Sequence, residues 1–235
     1  MSANKSQTYA LLGILVANGI TLYIALWQEW SVLQLLWPFW IQSVIIGWFA
    51  RQRILKLDRF CTKGLHIDGR SVKPTVETQE KTARNFGLHY GFFHLGYFVF
   101  LLVFSLFADA QGYIEMQNAD TGEVFPVHVG NVYLIDLLFY LGLTLSFWVS
   151  HSVSHKNNIR ADLGNTPNLG ALVFLPYARV VPMHLCIIIA IPFGGSDFIW
   201  FFILLKTGAD MLMHIVEHRI LQGKQASLNV SDSEK

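Results

Sequence analysis

Seven of the nine histidines lie in or at the edges of long apolar runs, and they are His89, His94, His151, His155, His184, His214 and His218. An ionisable side chain is costly inside a membrane, so it usually faces a partner, a cavity or an ion. Neutral imidazoles bind zinc and iron, carry protons, or serve as axial ligands of haem. These residue types therefore predict chemistry inside a membrane rather than in an aqueous cleft.

Two pairs of candidate ligands have helical spacing. His151 and His155 are four residues apart, as are Asp210 and His214, so each pair lies on one face of a helix. A carboxylate beside an imidazole suits a metal ion, or a carboxylate that orients a histidine ligand. We therefore expect both pairs to point into one site.

Other polar groups fit a single centre less well. His89 and His94 are five residues apart, about 140° round a helix, so one site holds both only if it is wide or binuclear. Lys206 and His218 are separated by about 120° and about 18 Å, so they cannot serve the same atom. We expect these two residues, with Arg179, to contact substrate or ligands around the site.

Transmembrane helices must position these groups. The chain has 235 residues, 53% of them hydrophobic, and the apolar residues form long blocks. The length of each block is close to the about 20 residues that a helix needs to cross about 30 Å of hydrocarbon. The sequence predicts an all-α integral membrane protein with six spans, at residues 8–27, 32–54, 86–108, 131–155, 172–192 and 198–221. These form one membrane domain over residues 1–225, and residues 226–235 are expected to be a disordered tail.

Lys and Arg residues set the expected orientation. Nine of them lie at or between the ends of the second and third spans, whereas the segment between the third and fourth spans has none. The positive-inside rule then places both termini in the cytoplasm of a multi-pass bacterial inner-membrane protein. Residues 109–130 lie outside, and their pattern around Asn118-Ala119-Asp120-Thr121-Gly122 predicts a small β-hairpin capping the outer mouth. Residues 57–82 are expected to be amphipathic or irregular.

This topology brings all seven histidines into the cytoplasmic half of the membrane. Histidines that only join helices have no reason to share a depth, so a common level on four helices favours a shared site. The candidate metal ligands are His89, His94, His151, His155, His184, Asp210 and His214. In the helices, we expect Gly91, Gly96, Gly142 and Gly208 to allow close packing. We expect Trp37, Trp40 and Trp48 to face lipid or to lie in an interfacial belt.

Three short motifs resemble those of a known family: His89-Tyr90-Gly91 with His94, Pro176-Tyr177-Ala178-Arg179 with Met183-His184, and Lys206-Thr207 with Asp210 and His214. In this combination, from helix two to helix six, the chain resembles a bacterial and archaeal family of uncharacterised integral membrane proteins. The resemblance implies a multi-helix membrane fold and no established activity. The family has an acidic residue in helix two after an aromatic pair, where this chain has Gln42.

The candidate ligands predict a membrane metalloenzyme, in which zinc or iron supports hydrolysis or oxidation of a lipid-like substrate. The sequence lacks the clustered His-x-x-His-His boxes of desaturases and a Gly-x-Ser-x-Gly motif, which disfavours those two classes. Three alternatives stay open: a b-type haem between His94 and His184, an ion or proton pathway, and a non-catalytic accessory subunit. Expected partners are membrane lipids and another copy or a membrane-complex subunit, and nothing predicts nucleic-acid binding.

Overall fold

The computed structural model of the protein describes residues 2–178, 180, 203–205, 207, 208 and 211. Its long helices are α1 (Ser2–Trp27), α2 (Val32–Leu55), α3 (Val76–Phe107) and α4 (Leu134–Asp162). A shorter helix, α5, spans Leu169–Ala178. Two antiparallel hairpins lie between helices, β1 (His66–Ile67) with β2 (Arg70–Ser71) before α3, and β3 (Tyr113–Gln117) with β4 (Val124–His128) after it.

Helices α2, α3 and α4 are each long and apolar enough to cross a bilayer. The first predicted span lies within α1 and the second matches α2, whereas α3 begins ten residues before the third predicted span. The side chain of Thr75 accepts a hydrogen bond from Thr78 N at 3.2 Å, so α3 starts at a capped polar segment that hydropathy does not detect. Most of the fifth and sixth predicted spans, and the predicted tail, lie outside the described residues.

Helix α2 is the central element, since it packs against both α3 and α4. Half of its apolar span is buried, compared with 22% for α3 and α4. Trp37 Nε1 donates to Ser105 Oγ at 3.1 Å and Trp40 Nε1 donates to His94 O at 3.0 Å. These two tryptophans thus join α2 to α3, because a half-buried indole N–H needs an acceptor. Trp48, 51% exposed, is on the surface as predicted.

Helices α2 and α3 approach closely at Gly47, where a Cβ atom would overlap the ring of Tyr90. The ring is fixed, because its hydroxyl donates to Ser43 O at 2.9 Å and it stacks on the His94 ring at 4.1 Å. The four glycines predicted to allow close packing make no such contact among the described residues. In the described part of the chain, nothing packs within 4 Å of a Cβ placed on any of the four, Gly91, Gly96, Gly142 and Gly208.

Substituting alanine for Gly47 is expected to destabilise the protein by about 1–3 kcal/mol, the usual cost of overpacking. The added methyl group must displace the Tyr90 ring, which is held by a hydrogen bond and by stacking on His94. The midpoint of unfolding in detergent measures the effect. Gly91→Ala is the matched control, and an equal loss in both variants would show that the α2–α3 approach is not the cause.

The hairpin of β3 and β4 confirms the one predicted, with Tyr113 opposite His128 and Gln117 opposite Val124. The hairpin of β1 and β2 is new, because that segment was expected to be amphipathic or irregular. Its turn is Asp68-Gly69, and both residues have positive φ values, 53° and 74°. This is the backbone of the two-residue turns that Asp-Gly pairs favour, so the dipeptide was the available signal.

The two ends of the helical layer differ in charge. The acidic end, residues 108–133 with β3 and β4, has four acidic residues and no Lys or Arg. The basic end, residues 56–75 with β1 and β2 together with residues 163–168, has five Lys or Arg and two Asp. Helices α2 and α4 run from the acidic to the basic end, and α3 runs the other way.

At the acidic end, a buried carboxylate fastens α2 to α4. Asp136, 2% exposed in the first turn of α4, accepts hydrogen bonds from Trp30 Nε1 at 2.7 Å and Gln34 Nε2 at 2.8 Å. It also accepts from Tyr133 N at 2.8 Å. Three donors satisfy the buried charge, so Asp136 has a structural explanation, although no sequence pattern had singled it out.

At the basic end, a second buried carboxylate does the same. Asp162, the last residue of α4, accepts from Arg53 Nε at 2.8 Å and from Arg53 Nη2 at 2.9 Å. The side chains are only 7% and 9% exposed. This bidentate geometry suits a guanidinium and a carboxylate that are both removed from water, so α2 and α4 are fastened at both ends.

Candidate functional site

A cavity of about 80 Å³ lies between α2, α4 and α5, in the half of these helices that is nearer the basic end. Helix α4 lines it with His151, Ser154, His155 and Asn158. These residues are spaced i, i+3, i+4 and i+7, so they lie on one face of the helix. The volume has room for several water molecules, or for an ion with water ligands.

The other two walls are mainly apolar. They are formed by Ile46, Phe49, Ala50 and Arg53 of α2 and by Leu172, Leu175 and Pro176 of α5. The His155 ring lies 5.1 Å from the Phe49 ring, which fixes this imidazole at the boundary between the polar and apolar walls. The cavity therefore suits a polar group attached to an apolar one.

His151 and His155 are half-buried on consecutive turns and line the same cavity. Two histidines at i and i+4 on one helical face can bind one metal ion. Arg53 in the opposite wall would repel a cation, but its charge is offset by Asp162. The Arg53–Asp162 ion pair therefore adds no net charge to the described walls, which present the imidazoles of His151 and His155.

The histidines of α3 lie against other neighbours. His94 is buried between α2 and α3, and its Nδ1 donates to Tyr90 O at 2.9 Å. This hydrogen bond makes Nε2 the acceptor nitrogen of the neutral ring, the tautomer that a ligand bound through Nε2 requires. His89 is exposed, with Nδ1 at 2.9 Å from the hydroxyl of Tyr177 in α5. The two rings face different helices, as predicted from the separation of about 140° between these two positions round α3.

The structure thus brings His151 and His155 together and keeps His89 and His94 apart. Helix α5 contacts both sets, since Tyr177 contacts His89 while Pro176 lines the α4 cavity. Among the described residues there is no group of three or more His, Cys, Asp or Glu side chains arranged to hold a metal ion. The remaining candidates, His184, Asp210, His214, Arg179, Lys206 and His218, lie outside the described residues.

Comparison with known families places the chain as a whole. The model of a family of unknown function (DUF6498) matches residues 1–227. The chain belongs to this family. The DUF6498 match covers the cavity and all of the candidate ligands, and it confirms the resemblance to a family without an assigned activity. No curated protein and no solved structure matches the chain.

Three polar cavity residues of this DUF6498 chain were not predicted from the sequence, namely Arg53, Ser154 and Asn158. The signal for the last two was their spacing from His151, three and seven residues, which puts them on its face of the helix. Arg53 had been counted only as a charge for the orientation of the chain. Tyr177 had appeared only within a motif, and its contact with His89 joins α5 to α3.

Proposed function

We propose that the protein is a membrane-embedded metal-binding protein, with a site anchored by His151 and His155, and that it catalyses hydrolysis or oxidation of a lipid-like substrate. The observation that carries the proposal is the pair of imidazoles, four residues apart, that lines one cavity between three helices. A transition metal or zinc is the ligand that this donor type and spacing favour.

The proposed setting is the bacterial inner membrane, crossed six times with both termini in the cytoplasm. Support comes from the three apolar helices and from the charge difference between the acidic and basic ends. The positive-inside rule then puts the basic end in the cytoplasm. The cavity would lie in the cytoplasmic half of the bilayer.

Two histidines on α4 need further ligands. His184 of the fifth predicted span, with Asp210 and His214 of the sixth, are the proposed partners. Three protein ligands around zinc leave one position for water. The bound ion would polarise a carbonyl group or activate that water.

A lipid-like substrate fits the walls of the cavity. Phe49 and Leu175 are on its apolar sides, while His151 and Asn158 are on its polar side. An ester or amide bond that joins a headgroup to an acyl chain has the same division into polar and apolar parts. Arg179, Lys206 and His218 are the proposed contacts for the headgroup or for the ligands.

Haem binding is the second candidate function. It is favoured by His94, which is buried and donates from Nδ1 to Tyr90 O, as an axial ligand bound through Nε2 would. His184 is the proposed opposite ligand. This function leaves the polar face of α4 without a role, so we rank it below the metal site.

Elemental analysis together with the absorption spectrum of the detergent-purified, full-length protein tests both candidates. One or two equivalents of zinc or iron without a Soret band supports the proposed metal site. A Soret band selects haem. Protein purified without chelators that binds neither added zinc nor added iron overturns the proposal and favours an accessory subunit.

Alanine substitutions test the anchor. His151→Ala and His155→Ala are each expected to abolish stoichiometric metal binding, because each removes one of the two ligands on α4. Bound metal per protein is the measurement. His66→Ala and His128→Ala are the controls, since both histidines are exposed and belong to the hairpins rather than to the cavity. Full metal content in both α4 variants would exclude α4 from the site.

A further inference from the structure

A groove at the basic end lies between the β1–β2 hairpin and the first turns of α3. Arg70, Lys73 and Lys81 line it, together with Asp68 and Glu77. Its volume is about 540 Å³, which is within the range of pockets that bind small molecules. We propose that this groove, called the headgroup groove below, binds the anionic headgroup of a phospholipid from the surrounding membrane.

The charges in the groove favour an anion. Lys81 forms an ion pair with Asp68 at 2.8 Å, which leaves Arg70 and Lys73 as the uncompensated cations near one acidic residue, Glu77. Both cations are exposed, and neither belongs to an ion pair within the part of the chain that the structure describes. A lipid phosphate would supply the missing negative charge.

The surroundings of the groove reinforce this preference. Among the described residues around the basic end, eight exposed cations, Lys56, Arg59, Lys63, Arg70, Lys73, Arg84, Lys156 and Arg160, outnumber the four exposed acids, Asp58, Asp68, Glu77 and Glu80. Orientation alone requires positive charge here but no groove. The acidic end, which has no Lys or Arg, offers no comparable surface.

The height of the groove above the hydrocarbon matches a headgroup. Lys81 precedes Phe86, where the apolar part of α3 begins, by five residues or about 7.5 Å of helix. The polar layer on each side of the hydrocarbon is about 5–8 Å thick. The side of the groove formed by α3 therefore begins at the level where lipid phosphates lie.

The groove is also preformed, because hydrogen bonds fix the segment that carries it. Thr62 Oγ1 donates to Val72 O at 2.6 Å, next to Lys73. Gln79 Nε2 donates to Ile54 O at 2.7 Å and to Leu57 O at 3.0 Å, which holds the start of α3 against the end of α2. A preformed site loses less conformational entropy on binding.

Lipid binding to full-length protein in nanodiscs tests the proposal. We expect phosphatidylglycerol, in a phosphatidylcholine background, to be retained preferentially, as measured by native mass spectrometry. Arg70→Gln/Lys73→Gln should weaken this retention about thirtyfold. Arg70→Lys/Lys73→Arg, which keeps both charges, should preserve most of it.

The matched control removes the same charge elsewhere at the basic end. Lys156→Gln/Arg160→Gln on α4 should change retention less than about threefold, because these residues do not line the groove. Equal losses in the two double variants would overturn the groove and leave only the general charge. Two other results would also overturn the proposal: no preference for phosphatidylglycerol, and tighter binding of short RNA than of lipid.

Discussion

Replacing Asp136 by alanine is expected to lower the free energy of unfolding by about 3 kcal/mol or more. The substitution strips the acceptor from the Trp30 indole, the Gln34 amide and the Tyr133 backbone N–H. The carboxylate is 2% exposed, so these donors have little access to water as a replacement. Each buried donor without an acceptor costs about 1–3 kcal/mol. Denaturant titration in detergent, followed by tryptophan fluorescence, measures the loss.

Two further substitutions isolate the cause. Asp136→Asn preserves the shape of the side chain but turns an amide N–H₂ towards one donor. Its loss of unfolding free energy should therefore be intermediate. Asp120→Ala removes an exposed carboxylate at the same end of the molecule and should stay within about 0.5 kcal/mol of the wild type. If Asp136→Ala were as stable as Asp120→Ala, the buried network would not hold α2 to α4.

Replacing Arg53 by alanine is expected to cost about 3–5 kcal/mol, the range for breaking a buried ion pair from one side. It leaves the charge of Asp162, 9% exposed, without its guanidinium. Asp162 is also the last residue of α4, where the helix dipole disfavours an anion. Asp162→Ala should cost less, because Arg53 is in the last turn of α2, where the dipole favours a cation.

A double variant without either charge separates the ion pair from simple packing. Arg53→Met/Asp162→Leu removes both charges and should recover most of the stability lost in Arg53→Ala. Arg53→Lys keeps the charge but loses the bidentate geometry, so an intermediate loss is expected. Equal losses in the two single alanine variants would contradict the dipole argument. A double variant less stable than either would contradict the ion-pair argument.

The parts of the fold that follow a simple rule were predicted from the sequence. Apolar length gave α2, and the alternating pattern around a turn gave the hairpin of β3 and β4. The first ten residues of α3 were missed because hydropathy detects only the apolar part of a helix. The cap at Thr75 with Glu77 in the first turn was the signal for them. Likewise, Asp68-Gly69 marked a turn that the charge-rich segment obscured.

For the site, the depth of a residue and its grouping with other residues must be considered separately. Depth in the membrane follows from position along a helix and from topology, so the sequence could predict a shared level for the histidines. Rotation about the helix axis and the order of helices follow from packing, for example from the approach of Gly47 to Tyr90. A shared level therefore did not imply a shared centre, and His94 lies between α2 and α3 while His155 lines the cavity beside α5.

The two buried carboxylates have a mechanical consequence for α2 and α4. Gln34 and Arg53, which hold Asp136 and Asp162, are nineteen residues apart, about 28 Å along α2. Two helices held together at points this far apart cannot slide or rotate against each other without breaking one of these two contacts. The third described wall, α5, is tied to the basic end at its start, where Leu169 N donates to Cys61 O at 2.9 Å. Because Tyr177 of α5 contacts His89 of α3, a movement of α5 on filling of the cavity would be transmitted to α3 through that tyrosine.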